Sequence, residues 1–249
     1  MSAPLKRGAR PSDTSPQARK HVARELGLLW LVTLLLIRGV VMLHDAVGWE
    51  VVLAGVPFLF IYAPVVLCHW RGVDSYDYEL SVPAEARDWG RSLAQAAGLM
   101  AIILVPWLIG YHLYQTQLFG FEPQWARVRS TVLTFGFLEL VLSQVFYTAI
   151  PEEFFYRGYF QTRLNEVFPR KFMLFGIPFG HALWITSIFF AFGHSLVVVR
   201  WWHFAIFFPG LLFGLMREKT GSVLPGAFFH AMCNILVVSL DVIYGITTL

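Results

Sequence analysis

The chain has 249 residues, of which 57% are hydrophobic and only 14% are charged, and its formal net charge is +3. Soluble domains carry about 25% charged residues, so the composition excludes an ordinary soluble protein and predicts a multi-pass membrane protein. The positive charge is concentrated near the N-terminus, where it bears on membrane topology, and nucleic acid is not an expected partner. The two cysteines lie in apolar runs and are interpreted as small buried hydrophobic residues.

The basic N-terminus is followed by a series of apolar runs. Residues 1–24 are predicted to form a disordered cytoplasmic tail, whose positive charges keep the N-terminus inside. Seven crossings are predicted, at 26–43, 51–70, 98–113, 131–150, 184–202, 204–216 and 223–244. Residues 172–183 are too short for a crossing and are interpreted as a re-entrant or surface segment. The expected fold is therefore all-α, a polytopic membrane bundle of about seven to eight helices with a polar cavity, in the inner membrane if the protein is bacterial.

Two adjacent carboxylates, Glu152 and Glu153, follow Pro151 in a stretch that is otherwise aromatic and aliphatic. Arg157 comes four residues after Glu153, so the two side chains share a helix face and are predicted to pair. Glu152 points about 100° away on the same helix, which leaves it for another role. Pro151 is predicted to break or kink the helix and to turn Glu152 into the cavity. Charged groups inside a membrane usually mark function.

Two of the eight histidines lie well inside predicted spans. His194 is near the middle of its span, and His230 lies seven residues after the start of the last one, four residues before Asn234. The other six histidines are at span ends or in the tail and are interpreted as interfacial residues. Because every polar group in lipid needs a partner, we expect His194, His230 and Asn234 to converge with Glu152.

Three motifs in this order resemble those of one known family. They are Glu152-Glu153-x-x-x-Arg157, Phe190-x-x-x-His194 and His230-x-x-x-Asn234. They resemble the CPBP family, also called the ABI family, which includes the type II CAAX prenyl endopeptidases and bacterial relatives such as a myxosortase-like branch. The resemblance divides the chain into the tail, N-terminal helices and a cytoplasmic loop over 25–96, and a CPBP-like catalytic core over 97–249.

The resemblance implies an intramembrane endopeptidase. Its substrate would be a membrane-anchored, lipidated or C-terminally tagged protein or peptide, cleaved in a C-terminal or membrane-proximal segment. In this scheme Glu152 is the general base, and His194 positions the same water. His230 and Asn234 would donate hydrogen bonds to the oxyanion, a contribution of about 3 to 4 kcal/mol per donor. The residues expected to orient the site are Glu153, Arg157 and Phe190.

Several alternatives stay open. A zinc ion held by Glu152, His194 and His230 would also activate a water, although the spacing gives no independent support for a metal. Metal-free hydrolysis is favoured, so no cofactor is firmly expected. A non-catalytic immunity or scaffold protein of the same fold is the second hypothesis. A proton-coupled transporter is the third, and the lack of a visible inverted repeat counts against it.

Overall fold

Helices form almost all of the regular structure in the computed structural model, which describes residues 13–78, 85–128, 134–198 and 201–247, apart from the side chains of 201 and 202. In chain order the helices are α1 (Pro16–Val47), α2 (Gly55–Trp70), α3 (Ala86–Leu113), α4 (Phe135–Leu142), α5 (Ile150–Glu153), α6 (Thr162–Asn165), α7 (His181–Val197), α8 (Phe207–Thr220) and α9 (Leu224–Ile243). Short 3-10 turns occupy Glu50–Ala54, Ser75–Tyr78 and Trp201–Ile206. The prediction of an all-α membrane fold is confirmed.

Four helical segments are long and apolar enough to cross a membrane. They are Pro16–Val47, Glu50–Trp70, Ala86–Leu118 and Leu224–Ile243. In the most apolar 18-residue stretch of each segment, between 6% and 44% is buried inside the protein. Most of this apolar surface is therefore available to lipid. These four segments contain or closely match four of the seven predicted crossings. Of the other three predicted crossings, 131–150 falls on the helical stretch 135–165, and 184–202 and 204–216 fall on the shorter helices α7 and α8. Residues 131–133 and 199–200 lie outside the described part of the chain.

Helix α1 begins earlier than the sequence predicted. The side chain of Ser15 accepts a hydrogen bond of 3.1 Å from the backbone N–H of Ala18, and Pro16 occupies the first helical turn. A serine cap followed by proline is a strong start signal, because the cap satisfies an open N–H and proline already has a helical φ. Residues 16–24, assigned above to a disordered tail, are therefore helical, and residues 1–12 lie outside the described part of the chain.

The segment predicted to be re-entrant is a β-hairpin followed by the start of α7. Strands β1 (Arg170–Leu174) and β2 (Ile177–Gly180) pair antiparallel, with Leu174 opposite Ile177. The two turn residues, Phe175 and Gly176, have φ values of 49° and 76°. Positive φ at both central residues is the geometry of a type I′ turn, which matches the twist of the strands. The periodicity of the sequence did not predict this hairpin, because a short apolar run fits a strand and a buried helix equally well.

Residues 135–165, here called the motif helix, carry the two glutamates. Helix α4 is followed by π-helical turns over Ser143–Ala149, by α5, by further π-helical turns over Phe154–Gln161 and by α6. Pro151 lies inside α5 and does not end the helix, so the predicted break is wrong, whereas the predicted kink stays a prediction. The wider π turns on both sides leave room for a residue that lacks a backbone N–H, and such turns are frequent at functional sites.

The described residues form two compact units. The first comprises residues of Met1–Val82 and Pro151–Gly226, and the second comprises residues of Pro83–Ile150 and Ala227–Leu249. In the second unit, Leu240, Ile243 and Tyr244 form a buried apolar cluster. Beside it the hydroxyl of Tyr111 donates to Asp241, so the carboxylate on α9 is satisfied within this unit.

Glu25 is the centre of a polar network in the first unit. Its carboxylate accepts hydrogen bonds from the hydroxyl of Tyr159 at 2.7 Å and from Nε and Nη2 of Arg163 at 3.1 Å each. Arg71, after α2, lies 3.5 Å from the same carboxylate and donates to Tyr159 at 3.0 Å. The network therefore connects α1 and α2 to the C-terminal part of the motif helix.

Tyr78 extends this network to Glu166. Its hydroxyl donates to a carboxylate oxygen of Glu166 at 2.8 Å and accepts from Arg71 at 3.2 Å. Burial, together with the negative charge of Glu166, raises the pKa of Tyr78, so the hydroxyl keeps its proton and remains a donor.

Replacing Glu25 by alanine is expected to destabilise the protein by about 3 kcal/mol, because Arg71 and Arg163 lose the carboxylate that they share and Arg163 keeps only Glu166 as an ion-pair partner among the described residues. Thermal unfolding of the detergent-solubilised full chain measures the effect. Arg24→Ala is the matched control, since Arg24 is the exposed neighbour on the same helix. Equal unfolding temperatures for the two variants would contradict the role given to Glu25.

Candidate active site

The predicted ion pair between Glu153 and Arg157 is present and almost completely buried. Nη1 of Arg157 lies 2.9 Å from Oε1 of Glu153, and the two side chains are 1% and 0% exposed. Nη2 of Arg157 donates to the carbonyl oxygen of Gly210 on α8 at 2.9 Å. The guanidinium carbon lies 4.3 Å from the ring centroid of Phe190 and 5.1 Å from that of Phe213. The pair therefore ties the motif helix to α7 and α8.

Glu152 faces a small cavity inside the first unit. Its side chain is 12% exposed and shares with His194 the wall of a space of about 160 Å³. The other wall residues are mostly apolar and come mainly from α1, α2 and the end of α7: Leu34, Ile37, Val56, Phe60, Tyr156, Gly193, Val197, Val198 and His203. A carboxylate and an imidazole therefore meet in a mainly apolar enclosure, where water is scarce and electrostatic interactions are strong.

The backbone fixes the tautomer of His194. Its Nδ1 lies 2.8 Å from the carbonyl oxygen of Phe190, one turn earlier on α7. A carbonyl can only accept, so Nδ1 carries the proton and the neutral ring presents the lone pair of Nε2. That Nε2 lies 3.8 Å from Oε2 of Glu152. The distance is too long for a direct hydrogen bond, and both atoms face the same cavity.

Helix α1 holds the part of α7 that carries His194. Nε1 of Trp30 donates to the carbonyl of Phe189 at 3.1 Å, and Nη1 of Arg38 donates to the carbonyl of Leu196 at 2.8 Å. Leu196 is at the C-terminal end of α7, where carbonyls lack helical partners and attract cations. Arg38, a charge inside the first predicted span, is thus satisfied by protein and keeps α1 against α7 on both sides of His194.

Gly193 allows α7 to approach the motif helix closely. A Cβ atom at this position would lie 2.6 Å from the hydroxyl oxygen of Tyr156 and 3.1 Å from a methyl carbon of Leu34. The tyrosine ring contacts Phe190 edge to face at a centroid distance of 5.0 Å. Tyr156 therefore occupies the space that a side chain at 193 would need, and it forms part of the cavity wall.

His203 is a site residue that the sequence analysis missed. It was assigned to the interfacial histidines, but it lines the cavity, and its ring centroid lies 5.9 Å from that of His194. No spacing pattern connects the two, because His203 reaches the cavity through a 3-10 turn after α7 and not along a helix face.

His230 and Asn234 both lie on α9 in the second unit. His230 is buried, and Nδ2 of Asn234 donates to Oε1 of Gln144 in the motif helix at 2.8 Å. Gln144 was not singled out from sequence, although a polar residue in an apolar span needs a partner of this kind. The convergence of His230 and Asn234 with Glu152 and His194 stays a prediction.

The alternative prediction is a zinc ion held by Glu152, His194 and His230. Within the described ranges, no three histidine, cysteine or acidic side chains are grouped closely enough to hold a metal ion. Glu152 and His194 alone supply two of the three protein ligands that a catalytic zinc usually has. Among the described residues, the arrangement therefore gives no complete set of zinc ligands.

Fold and site together define a class: a helical membrane protein with a carboxylate and an oriented imidazole on an apolar cavity. Residues 134–236 match the family model described as type II CAAX prenyl endopeptidase Rce1-like. This segment contains all three motifs and is similar to that CPBP family of proteases. No curated protein and no solved structure matches the chain. The predicted resemblance is confirmed, and the myxosortase-like branch stays a prediction.

Gly193→Ala is expected to destabilise the protein by about 1 to 3 kcal/mol, since the added methyl group forces α7 away from Tyr156. The matched control is Gly39→Ala on α1, where nothing lies within 4 Å of an added Cβ. That control should stabilise the helix by about 0.5 to 1 kcal/mol. Thermal unfolding of both variants separates the two cases, and an equal gain in stability would refute the close contact at Gly193.

Proposed function

We propose that the protein is an intramembrane endopeptidase that uses Glu152 as general base. The observation that carries the proposal is the meeting of Glu152 with the acceptor nitrogen of His194 on an apolar cavity, in a segment that matches a protease family. Peptide hydrolysis inside a membrane needs an activated water, and a carboxylate in a dry enclosure is a suitable acceptor for its proton.

The proposed first step is attack of a water on the scissile carbonyl. A water that donates one hydrogen to Oε2 of Glu152 and the other to Nε2 of His194 would be held by both groups, whose atoms are 3.8 Å apart. Glu152 takes a proton as the water oxygen bonds to the carbonyl carbon. The same carboxylic acid then returns that proton to the leaving amine, so the base is regenerated at the end of the cycle.

His230 and Asn234 are proposed as donors to the tetrahedral oxyanion. The Asn234 amide has two N–H groups, and the one that donates to Gln144 fixes the plane of the amide. The second N–H is left for the oxyanion. A donor oriented before the reaction stabilises the developing charge without reorganisation, which is the usual advantage of an oxyanion hole.

The proposed substrate is a membrane-anchored protein cleaved near a lipidated or tagged C-terminus. The mainly apolar walls around Glu152 favour an aliphatic or prenyl group beside the scissile bond. The four long apolar segments suggest that the chain crosses the membrane several times, and the basic N-terminal region suggests that its N-terminus lies in the cytoplasm.

Glu152→Gln is expected to lower cleavage by about 10³-fold, because glutamine keeps the shape of the side chain and cannot accept the proton. The measurement is release of the C-terminal tripeptide from a farnesylated peptide that ends in a Cys-a-a-X sequence, with the full chain in proteoliposomes. Glu139→Gln is the control, since Glu139 is an exposed glutamate earlier in the motif helix. It should retain full activity.

Other outcomes would contradict the general base or support one of the alternative functions. Unchanged cleavage by Glu152→Gln would refute the general base. If the wild-type chain cleaves neither this peptide nor any membrane protein whose C-terminus is extended in a deletion strain, a non-catalytic scaffold is supported instead. Proton-coupled solute uptake that depends on Glu152 would support the transporter. Loss of wild-type cleavage with a chelator, restored by zinc, would support the metal-dependent alternative.

Substitution of the proposed oxyanion donors should affect turnover more than substrate binding. Asn234→Ala and His230→Ala are each expected to lower kcat by about 10²- to 10³-fold with little change in KM, since the interaction exists mainly in the transition state. Gln144→Ala should reduce kcat less, because it removes only the group that orients Asn234. A rise in KM at unchanged kcat for Asn234→Ala would instead indicate a substrate contact.

A further inference from the structure

A second cavity of about 410 Å³ lies in the first unit and shares no wall residue with the cavity at Glu152. Its wall is formed by residues near the start of α1, after α6, on β1 and on α7: Arg19, Phe168, Pro169, Lys171, His181, Trp184 and Ile185. Two permanent cations and one histidine therefore face a space whose remaining walls are aromatic or aliphatic, and none of these wall residues is acidic.

Within the described residues, no ion pair neutralises the basic groups at this cavity. Nε of Arg19 is buried and has no hydrogen-bond partner in the described part of the chain. Its guanidinium carbon lies 5.3 Å from the ring centroid of Phe168, which fixes the side chain at the cavity wall. Lys171 and His181 are exposed, and neither forms an ion pair within the described ranges. An oriented arginine and a lysine without acidic partners are suited to an anion with several oxygen atoms.

Aromatic contacts hold His181 in place. Its ring lies 5.5 Å from the centroid of Phe172 and 6.2 Å from that of Phe168, edge to face in both cases. Gly180, just before it, is so close to Pro169 that a Cβ atom would lie 2.7 Å from the carbonyl oxygen of that proline. The hairpin is therefore fastened to the chain after α6, and the cavity has a defined shape.

The β-hairpin beside this cavity ends in an exposed apolar tip, here defined as Phe172, Met173, Leu174 and Phe175. Phe175 is 95% exposed and Met173 is 67% exposed. Phe175 also has a φ of 49°, a region that bulky residues avoid and that asparagine or glycine usually occupies in such turns. In water, an exposed phenylalanine ring would gain nothing that offsets the cost of this disfavoured backbone conformation. Lipid would cover its ring, as it covers aromatic residues at membrane interfaces.

We propose that the cavity binds the phosphate of an anionic phospholipid headgroup while the hairpin tip enters the adjacent bilayer. Arg19 and Lys171 would contact the phosphate oxygens, and Trp184 would lie at the level of the glycerol backbone, where tryptophan is enriched. A lipid fits better than free phosphate, because the charged cavity is continuous with a tip whose exposed side chains are apolar. This site is independent of the proteolytic chemistry.

The test is a lipid titration of the detergent-purified full chain by native mass spectrometry, with dioleoyl phosphatidylglycerol and dioleoyl phosphatidylcholine as probes. The double variant Arg19→Gln, Lys171→Gln should raise the apparent Kd for phosphatidylglycerol by about tenfold or more, given the usual strength of two cation–headgroup contacts. The matched control Lys20→Gln, Lys219→Gln removes the same charge from exposed positions that do not line the cavity. It should bind as the wild type does.

Three results would overturn the proposal. They are equal phosphatidylglycerol binding by wild type and the cavity variant, equal wild-type affinity for phosphatidylcholine, and displacement of the lipid by millimolar inorganic phosphate, which would indicate a free-phosphate site. Circular dichroism and thermal unfolding verify that the variants are folded.

Phe175→Asn tests the part played by the tip. Asparagine adopts positive φ more easily, so the hairpin itself should be at least as stable, whereas the lipid contact of the ring is lost. Phosphatidylglycerol affinity is expected to fall about threefold or more without a lower unfolding temperature, in line with the loss of one buried aromatic contact. Unchanged affinity would show that the tip does not enter the lipid.

Discussion

The buried ion pair between Glu153 and Arg157 is the constraint on which the rest of the first unit depends. Two charges with almost no exposure can persist only if each is closely compensated, since removal of either leaves an isolated charge in a medium without water. Arg157 meets this requirement with three groups: the carboxylate, the carbonyl of Gly210 and the faces of the surrounding rings. The motif helix can therefore have only one rotation relative to α7 and α8. That rotation turns the adjacent carboxylate, that of Glu152, towards the cavity.

Local and periodic features of the fold were predictable. The apolar runs predicted the long spans, and the spacing of four residues predicted the pair of Glu153 with Arg157, because both follow from the geometry of a single helix. Features that join distant parts of the chain were not predictable. Glu25 and Arg163 are 138 residues apart, and no pattern in either segment names the other as its partner. The hairpin was missed for a related reason, since its pairing depends on turn residues with positive φ and not on periodicity.

The residues of the candidate site were more predictable from the sequence than the packing that surrounds them. Glu152 and His194 were expected to meet, and the structure brings their side-chain atoms to 3.8 Å. The ring orientation of His194, the close approach at Gly193 and the presence of His203 all depend on how α1, α2 and α7 enclose the cavity. Those contacts result from packing in three dimensions, which a one-dimensional motif does not describe. The roles of His230 and Asn234 still rest on the motif alone.

Hydrogen-bond satisfaction separates three kinds of polar group in the first unit. The Glu25 network pairs acids with bases and hydroxyls, so its free energy contributes to the stability of the fold. Glu152 and His194 face each other across a gap and a cavity, an arrangement that leaves room for a reacting molecule. Arg19 keeps a buried donor without an acceptor in the described part of the chain. Its guanidinium also lines a cavity without acidic wall residues, so an external anion can compensate its charge, and the membrane surface is a source of one.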